Sequence, residues 1–320
     1  MRHVMLSALV AAGVSTGVSG GMAQAQNVGI ATSNPGSLFH NIGTAVANAA
    51  NHAGLNATIQ PATSPNQYIP FVASGGIEFG VANLQEIEYA LSGAEWFSGN
   101  QNPDLRLVGM IMPVVEAIFV RADSDITSIA DLKGQRMVDG YTAQQTILPQ
   151  LDALYATEGM TRADMTPVNV ASVVAGADAF MAGEAVGFIF AHGAGKVREA
   201  DASVGGLRAL TVEPTEENLA KARRSWPVAF FKELKAGSMP GVAEDGWFFA
   251  YPQAVFTNAK ASDEAVYAMA KAIYEGKDQM VESFAPFGAF VPADMARTDG
   301  EVTYHPGAIR FFQEAGIWAD

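Results

Sequence analysis

Apolar and polar positions along the chain alternate between two periods. "NVGIA" (Asn27 to Ala31) is an apolar run of strand length, after which Leu38, Ile42, Ala45, Val46 and Ala49 recur at helical spacing until Gly54. "ATIQ" predicts a second strand, residues 66–73 a helix, and "IEFGVAN" (Ile77 to Asn83) a third strand. Strands alternating with helices predict a parallel-type sheet with right-handed crossovers and a ligand at the carboxyl ends of the strands.

The pattern then repeats after a break. "LRLVGMIM" and "EAIFVRA" predict two strands bent at Pro113. "QRMVDG", "MTPVNV" and "AVGFIFA" predict three more, each of the first two followed by a helix closed at a glycine, Gly159 and Gly183. "GWFFAYPQAVFTN" is again extended, and "SDEAVYAMAKAIYEG" predicts a long helix. Two α/β units joined by extended segments near residues 113–120 and 247–255 imply two lobes, a cleft and a two-segment hinge. The expected division is residues 26–117 plus 252–320 for lobe 1 and 118–251 for lobe 2.

The first 25 residues break this grammar. Arg2, the apolar run "VMLSALVAAGVSTGV" and the small residues "AQA" have the layout of a secretory signal peptide over residues 1–25, and the run is too short for a good membrane span. A mature start near Gln26 and a periplasmic location are expected. Of 320 residues, 49% are hydrophobic, 16% are charged and none is Cys, so a core rather than a disulfide framework must hold the mature fold. Loss of the signal removes one cation and no anion, taking the formal charge from −14 to −15. Such a surface argues against nucleic acid and acidic membranes as partners.

Candidate chemistry sits in the loops between strands and helices. "TSNPGSLFHNIG" (Thr32 to Gly43) joins the first strand to the first helix, and "DGYTAQQTILPQ" (Asp139 to Gln150) holds the same place in the second unit. As turns alone, Asn34, Pro35 and Gly36 are ordinary and Ser37 is a helix cap. Pro149 belongs in a first turn, which makes Thr146 the expected N-cap of the second helix. Two helix N-termini facing a common cleft would favour an anion by roughly 0.3–2 kcal/mol each.

Several segments taken together resemble the TAXI class of TRAP transporter solute receptors: "TSNPGSLFHNIG", "VASGGIEFGVANLQE", "VRADSDITSIADLKGQRMVDG", "SDEAVYAMAKAIYEG" and "YHPGAIRFFQEAGIW". The resemblance runs in order through the mature chain, and its C-terminal motif is far more specific than "ADLKG". It implies a two-lobed periplasmic binding protein of type II fold that captures a small organic acid and delivers it to an ion-gradient-driven TRAP permease. A periplasmic sensor presenting the same solute to a signalling protein is the alternative. The first loop departs from the family's paired tyrosines with Phe39 and His40. Where the family shows an acid after the third strand, Gln85 stands here. That loss points toward an acid without an amine, such as an oxo- or hydroxy-acid.

Micromolar affinity requires about 8 kcal/mol net, whereas one charge-assisted hydrogen bond contributes roughly 1.5–3 kcal/mol, so several contacts must cooperate. The expected polar contacts are Ser33, Ser37, Thr63, Ser64, Asn83, Gln85, Gln145 and Thr146, with Phe39, Tyr68 and Tyr141 as walls. Gly36, Gln144, Phe190 and His192 complete the candidate site.

Catalysis is not expected. The Gly-x-Ser-x-Gly matches fall in the signal peptide, no Cys nucleophile exists, and His40 beside Ser37 has no identifiable orienting acid. The five histidines show no metal-binding spacing, and no cofactor is indicated. A monomer that closes around its ligand is the expected working form, and the charged helix "TEENLAKARRSW" is a candidate surface for the permease.

Overall fold

The computed structural model describes residues 27–297 and 300–319; the signal peptide expected over residues 1–25 lies outside them. β1 (Asn27–Thr32) is buried from Val28 onward, as a strand covered on both faces must be. α1 (Leu38–His52) follows, capped by Ser37, whose Oγ accepts from the His40 N–H at 3.2 Å. Its buried stripe includes Leu38, Ile42, Ala45, Val46 and Ala49, the positions set by helical spacing. Gly43 lies against Thr32, and any Cβ there would overlap the threonine methyl. This close approach draws the start of α1 against β1, fixing the loop between them.

β2 (Asn56–Pro61), α2 (Pro65–Ala73), β3 (Phe79–Asn83), α3 (Leu84–Ser92) and β4 (Leu105–Met110) complete the first run. The chain then crosses at Pro113 into a second unit. It contains β5 (Val114–Arg121), β6 (Arg136–Asp139), α4 (Ile147–Thr157), β7 (Thr166–Asn169), α5 (Val173–Met181), β8 (Gly187–Ala191) and α6 (Gly195–Val204). β9 (Leu207–Ala209), α7 (Glu216–Arg223), β10 (Phe230–Leu234) and β11 (Gly246–Tyr251) end it. After Pro252 the chain returns as β12 (Gln253–Asn258), α8 (Asp263–Glu275), α9 (Lys277–Ser283) and α10 (Pro306–Glu314).

Two sheets result, ordered β2-β1-β3-β12-β4 and β10-β11-β5-β8-β6-β7, with β9 also on β5. The expected parallel sheets are in fact mixed. β1 runs parallel to β2 and β3, and β6 to β7 and β8, but β12 is antiparallel to both its neighbours and β5 to all of its own. The cause is connectivity: β5 and β12 enter their sheets from the other lobe rather than through a helical crossover. Residues 114–117, assigned to lobe 1 from sequence, pair in the second sheet, so the lobe boundary falls at Pro113.

The two crossings run side by side. Val114 pairs with Tyr251, the Gln253 Nε2 donates to the Met112 carbonyl at 2.6 Å, and the Ile111 N–H donates to the Gln253 carbonyl at 3.0 Å. Among the described residues no helix is long and apolar enough to cross a membrane.

Candidate functional site

A cavity of ≈ 420 Å³, counting its open mouth, lies between the lobes beside these crossings. Lobe 1 contributes Ser33, Ser37, Leu38, Phe39 and Asn83; lobe 2 contributes Val114, Glu116, Gln144, Thr146, Ile147, Gln150, Val173, Phe190, Ala191 and Tyr251.

On the lobe 1 side, β1 leads directly into Ser33, which is 2% exposed with its hydroxyl set against the Tyr68 side chain. Gly36 takes φ +89°, which turns the loop into α1. Leu38 and Phe39 form the first turn of α1 and line the cavity, and helix geometry leaves their N–H groups without intrahelical partners. Asn83 caps α3: its Oδ1 accepts from the Glu86 N–H at 2.8 Å, and its Nδ2 donates to Glu86 Oε2 at 2.6 Å. This side therefore offers backbone donors.

The lobe 2 side differs. Thr146 is the N-cap of α4, with Pro149 at the third helical position, but its backbone is already helical and its hydroxyl caps nothing. A preceding turn delivers the Gln144 and Gln145 carbonyls to the Ile147 and Leu148 N–H groups, at 3.3 and 3.0 Å, so the expected free donors are consumed. Gln144 Oε1 likewise accepts from the Val173 N–H at 3.0 Å, at the start of α5. What remains is the Thr146 hydroxyl, set against the Glu86 carboxyl, and the Gln150 amide, set against the Tyr251 hydroxyl, both buried. Gln150 stands four residues after Thr146, hence on the same helix face.

One carboxyl group lines the floor and a second lies behind it. Glu116 on β5 is 3% exposed, and its Oε2 accepts from the Tyr251 hydroxyl at 3.3 Å. Burial pushes its carboxyl up to about 8, and the Tyr251 bond restrains the rise. Glu86, fully buried behind Asn83, is also pushed up to about 8 by burial. Hydrogen bonds from Thr146 and Asn83 oppose that shift, and the Glu116 charge adds to it. The cleft thus does contain an acid, contrary to the expectation drawn from Gln85.

The cavity brings together seven expected residues: Ser33, Ser37, Phe39, Asn83, Gln144, Thr146 and Phe190. The others stand elsewhere. Tyr68 is a core residue whose hydroxyl donates to the Val81 carbonyl, and Tyr141 is fully buried with an unpaired hydroxyl. Gln85 is turned toward Glu88, with Nε2 donating to its carboxylate at 3.4 Å. The Thr63 N–H donates to Gln67 Oε1 at 3.2 Å, tying it to its own turn, and Gln145 is exposed. His192 is sealed between Phe119 and Phe248, at ring distances of 5.0 and 4.8 Å, and burial pulls its pKa down to about 3.

Gly36 and Ser64 face the other lobe instead of the cavity. The Gly36 carbonyl accepts from the Lys196 N–H at 3.3 Å, and the Ser64 hydroxyl donates to the Ala143 carbonyl at 2.7 Å. Both bonds hold the lobes together. Glu116, Gln150 and Tyr251 escaped sequence reading. The signal that could have found Glu116 is a lone acid inside the apolar run "VVEAIFV", where burial of a charge needs a reason.

The NMT1-like family profile matches residues 30–316. Among solved structures, one described as a periplasmic transporter superposes with a TM-score of 0.55 at 11% identity, covering 91% of this chain and 93% of the other. A protein from Bordetella bronchiseptica RB50 gives 0.50 at 13% identity, covering 92% and 89%. The alkanesulfonate-binding protein SsuA from Xanthomonas axonopodis pv. citri, bound to MOPS, gives 0.47 at 16% identity, covering 91% and 84%. The fold is that of a type II periplasmic binding protein, with two α/β lobes and a cleft between them.

Proposed function

The chain belongs to the NMT1-like family, and from that premise we propose that it is an extracytoplasmic solute receptor rather than an enzyme. It captures a small organic acid in the cleft, closes, and delivers the solute to a membrane permease. The observation that carries this reading is the cavity itself, walled by both lobes and lined by the buried Ser33, Thr146 and Gln150 side chains. Polar groups buried in such a cleft gain free energy from a solute that hydrogen-bonds to them. The carboxylate end of the solute seats at the N-terminus of α1, the side with free backbone donors and a favourable dipole.

Closure follows from contacts that exist only when the lobes meet, so a solute touching both walls shifts the population toward the closed form. The resemblance to TAXI-class receptors supports a TRAP-type, ion-gradient-driven permease as the partner. A thermal-shift screen of organic acids and amino acids, followed by calorimetry and small-angle scattering, tests the receptor. A binding member should raise the melting temperature and compact the protein. No stabilisation by any member would sink the receptor reading; binding without compaction would sink closure alone.

A further inference from the structure

Each lobe buries one carboxyl group at the boundary between them. Glu86 of lobe 1, on α3, is fully buried; its Oε2 accepts from Asn83 Nδ2 at 2.6 Å, and its carboxyl also bonds the Thr146 hydroxyl of lobe 2. Glu116 of lobe 2 lines the cavity, 3% exposed, with the Tyr251 hydroxyl donating to its Oε2 at 3.3 Å. The two carboxyls act on each other across the lobe boundary, and no cationic side chain acts on either. No Lys, Arg or His lines the cavity. The other titratable groups coupled to the pair are Tyr68 on α2, Tyr141 before α4 and Tyr251 on β11, and burial pushes all three hydroxyls up. A buried charge with no partner is costly, and two like charges together cost more. Parting the lobes takes Glu86 from Thr146 and opens the cavity to water, so the same carboxyls ionise freely in the open form.

We propose that closing the lobes takes up protons, because Glu86 and Glu116 form a carboxyl pair across the boundary that shuts only when both groups are neutral. On closing, one oxygen of each carboxylate accepts a proton from the buffer and forms an O–H bond. On opening, that bond breaks and the proton returns to the buffer. This rests on the closure step of the receptor reading above and names what regulates it. Burial raises both carboxyls to about 8, which places the transition just above neutrality. Thr146 is the positioning residue, the lobe 2 group that Glu86 meets only when the lobes are together. An acid held in the cavity adds a further negative charge and makes the same demand more stringent.

The test needs no solute, since the proton is the probe. The chain has no Cys, so His52→Cys at the exposed end of α1 and Ser203→Cys on the exposed face of α6 place one dye on each lobe. Energy transfer in the empty mature protein reads the closed-to-open ratio from about pH 6 to about pH 9.5 in sodium-free buffer, with circular dichroism at each pH to confirm folding. That ratio should fall as pH rises, by up to roughly tenfold per pH unit for each proton released. Glu86→Gln and Glu116→Gln keep the shape of the neutral carboxyl, so each should remove one proton from the slope, and the double variant should show no pH dependence. A flat profile in the protein with both acids intact, or a double variant that keeps the slope, overturns the proposal; the first result is independent of whether either variant folds. Recovery of closure at the alkaline end by sodium chloride but not choline chloride also overturns it, by making a metal cation the neutralising species. The receptor reading is tested separately by the solute screen, whose outcome none of these results decides.

Discussion

The Ser64 hydroxyl of lobe 1 donates to the Ala143 carbonyl of lobe 2 at 2.7 Å. Ser64 is the N-cap of α2, yet its side chain caps no helix N–H. A residue of ordinary capping type has been spent on joining the lobes. Ser64→Ala should therefore leave the helix nearly unaffected and loosen closure. A neutral hydrogen bond contributes about 0.5–1.5 kcal/mol, so affinity should fall roughly 2- to 13-fold, chiefly through faster dissociation. Stopped-flow dissociation and calorimetry check this, and an unchanged dissociation rate would remove Ser64 from the latch.

Ser37 and Thr146 begin the two helices that face the cavity, but only Ser37 caps its helix through its side chain. Ser37→Ala should cost about 0.5–2 kcal/mol of stability in the empty protein. Thr146→Val, close in shape, removes the hydroxyl that bonds the buried Glu86 carboxyl, so the empty protein should lose about 0.5–1.5 kcal/mol. Solute affinity should drop as well. Denaturant melts paired with calorimetry separate the two effects, and an affinity unchanged in Thr146→Val would exclude that hydroxyl from solute contact.

Stability of the empty protein should fall as pH rises from about 6.5 to about 8. Glu116 and Glu86 have folded-state values of about 8 against an ordinary 4.5, so the fold binds protons the unfolded chain has released. Their contribution is complete below 4.5 and lost as pH rises through about 8. His192, pulled from 6.5 to about 3, acts oppositely, its contribution being present above 6.5 and lost as pH falls toward 3. His305 is shifted in the same downward direction by burial. Above 6.5 the carboxyls therefore act without opposition from either histidine. Melting temperatures across this window should decline, and Glu116→Gln should flatten the decline; a flat profile in the unaltered protein would contradict both shifts.

On α7, Arg223 is tied to the Ala229 carbonyl at 2.7 Å, whereas Arg224 is exposed at the helix end. Charge reversal at Arg224 should leave solute binding intact and, if this face meets the permease, reduce uptake in reconstituted vesicles. Reversal at Arg223 should also lower stability, because it removes the bond to Ala229. Full uptake by the Arg224 variant would exclude that residue from docking.

Residue pattern conveyed the α/β units because buried strands and helix stripes leave local periodicities, as in β1 and α1. It read "GWFFAYPQAVFTN" as one of the two extended segments joining the lobes, but not the strand directions there: β11 and β12 both lie antiparallel to their neighbours. The small, polar loop at Ser33 to Phe39 was legible as a candidate binding surface because few other jobs require those residues together. Side-chain direction was not legible. Tyr68 and Tyr141 have the right chemistry for cavity walls, yet both turn into the core, and Ser64 turns to the opposite lobe. Glu116, Gln150 and Tyr251 come from a strand, a helix and a strand far apart in sequence, and only the paired crossings bring them together.

Those crossings also divide the work of recognition in time. Glu116 lies two residues beyond the start of β5, beside the Val114–Tyr251 pairing, where a lobe rotation moves atoms least. Ser64 and Gly36 meet lobe 2 through bonds that a rotation must make or break. A solute entering the open protein can thus meet the hinge groups before the lobes meet each other. Groups at the fulcrum act as a gatekeeper at encounter, and those at the rim act as a timer on residence, so selectivity and dwell time can evolve through different residues of one cleft.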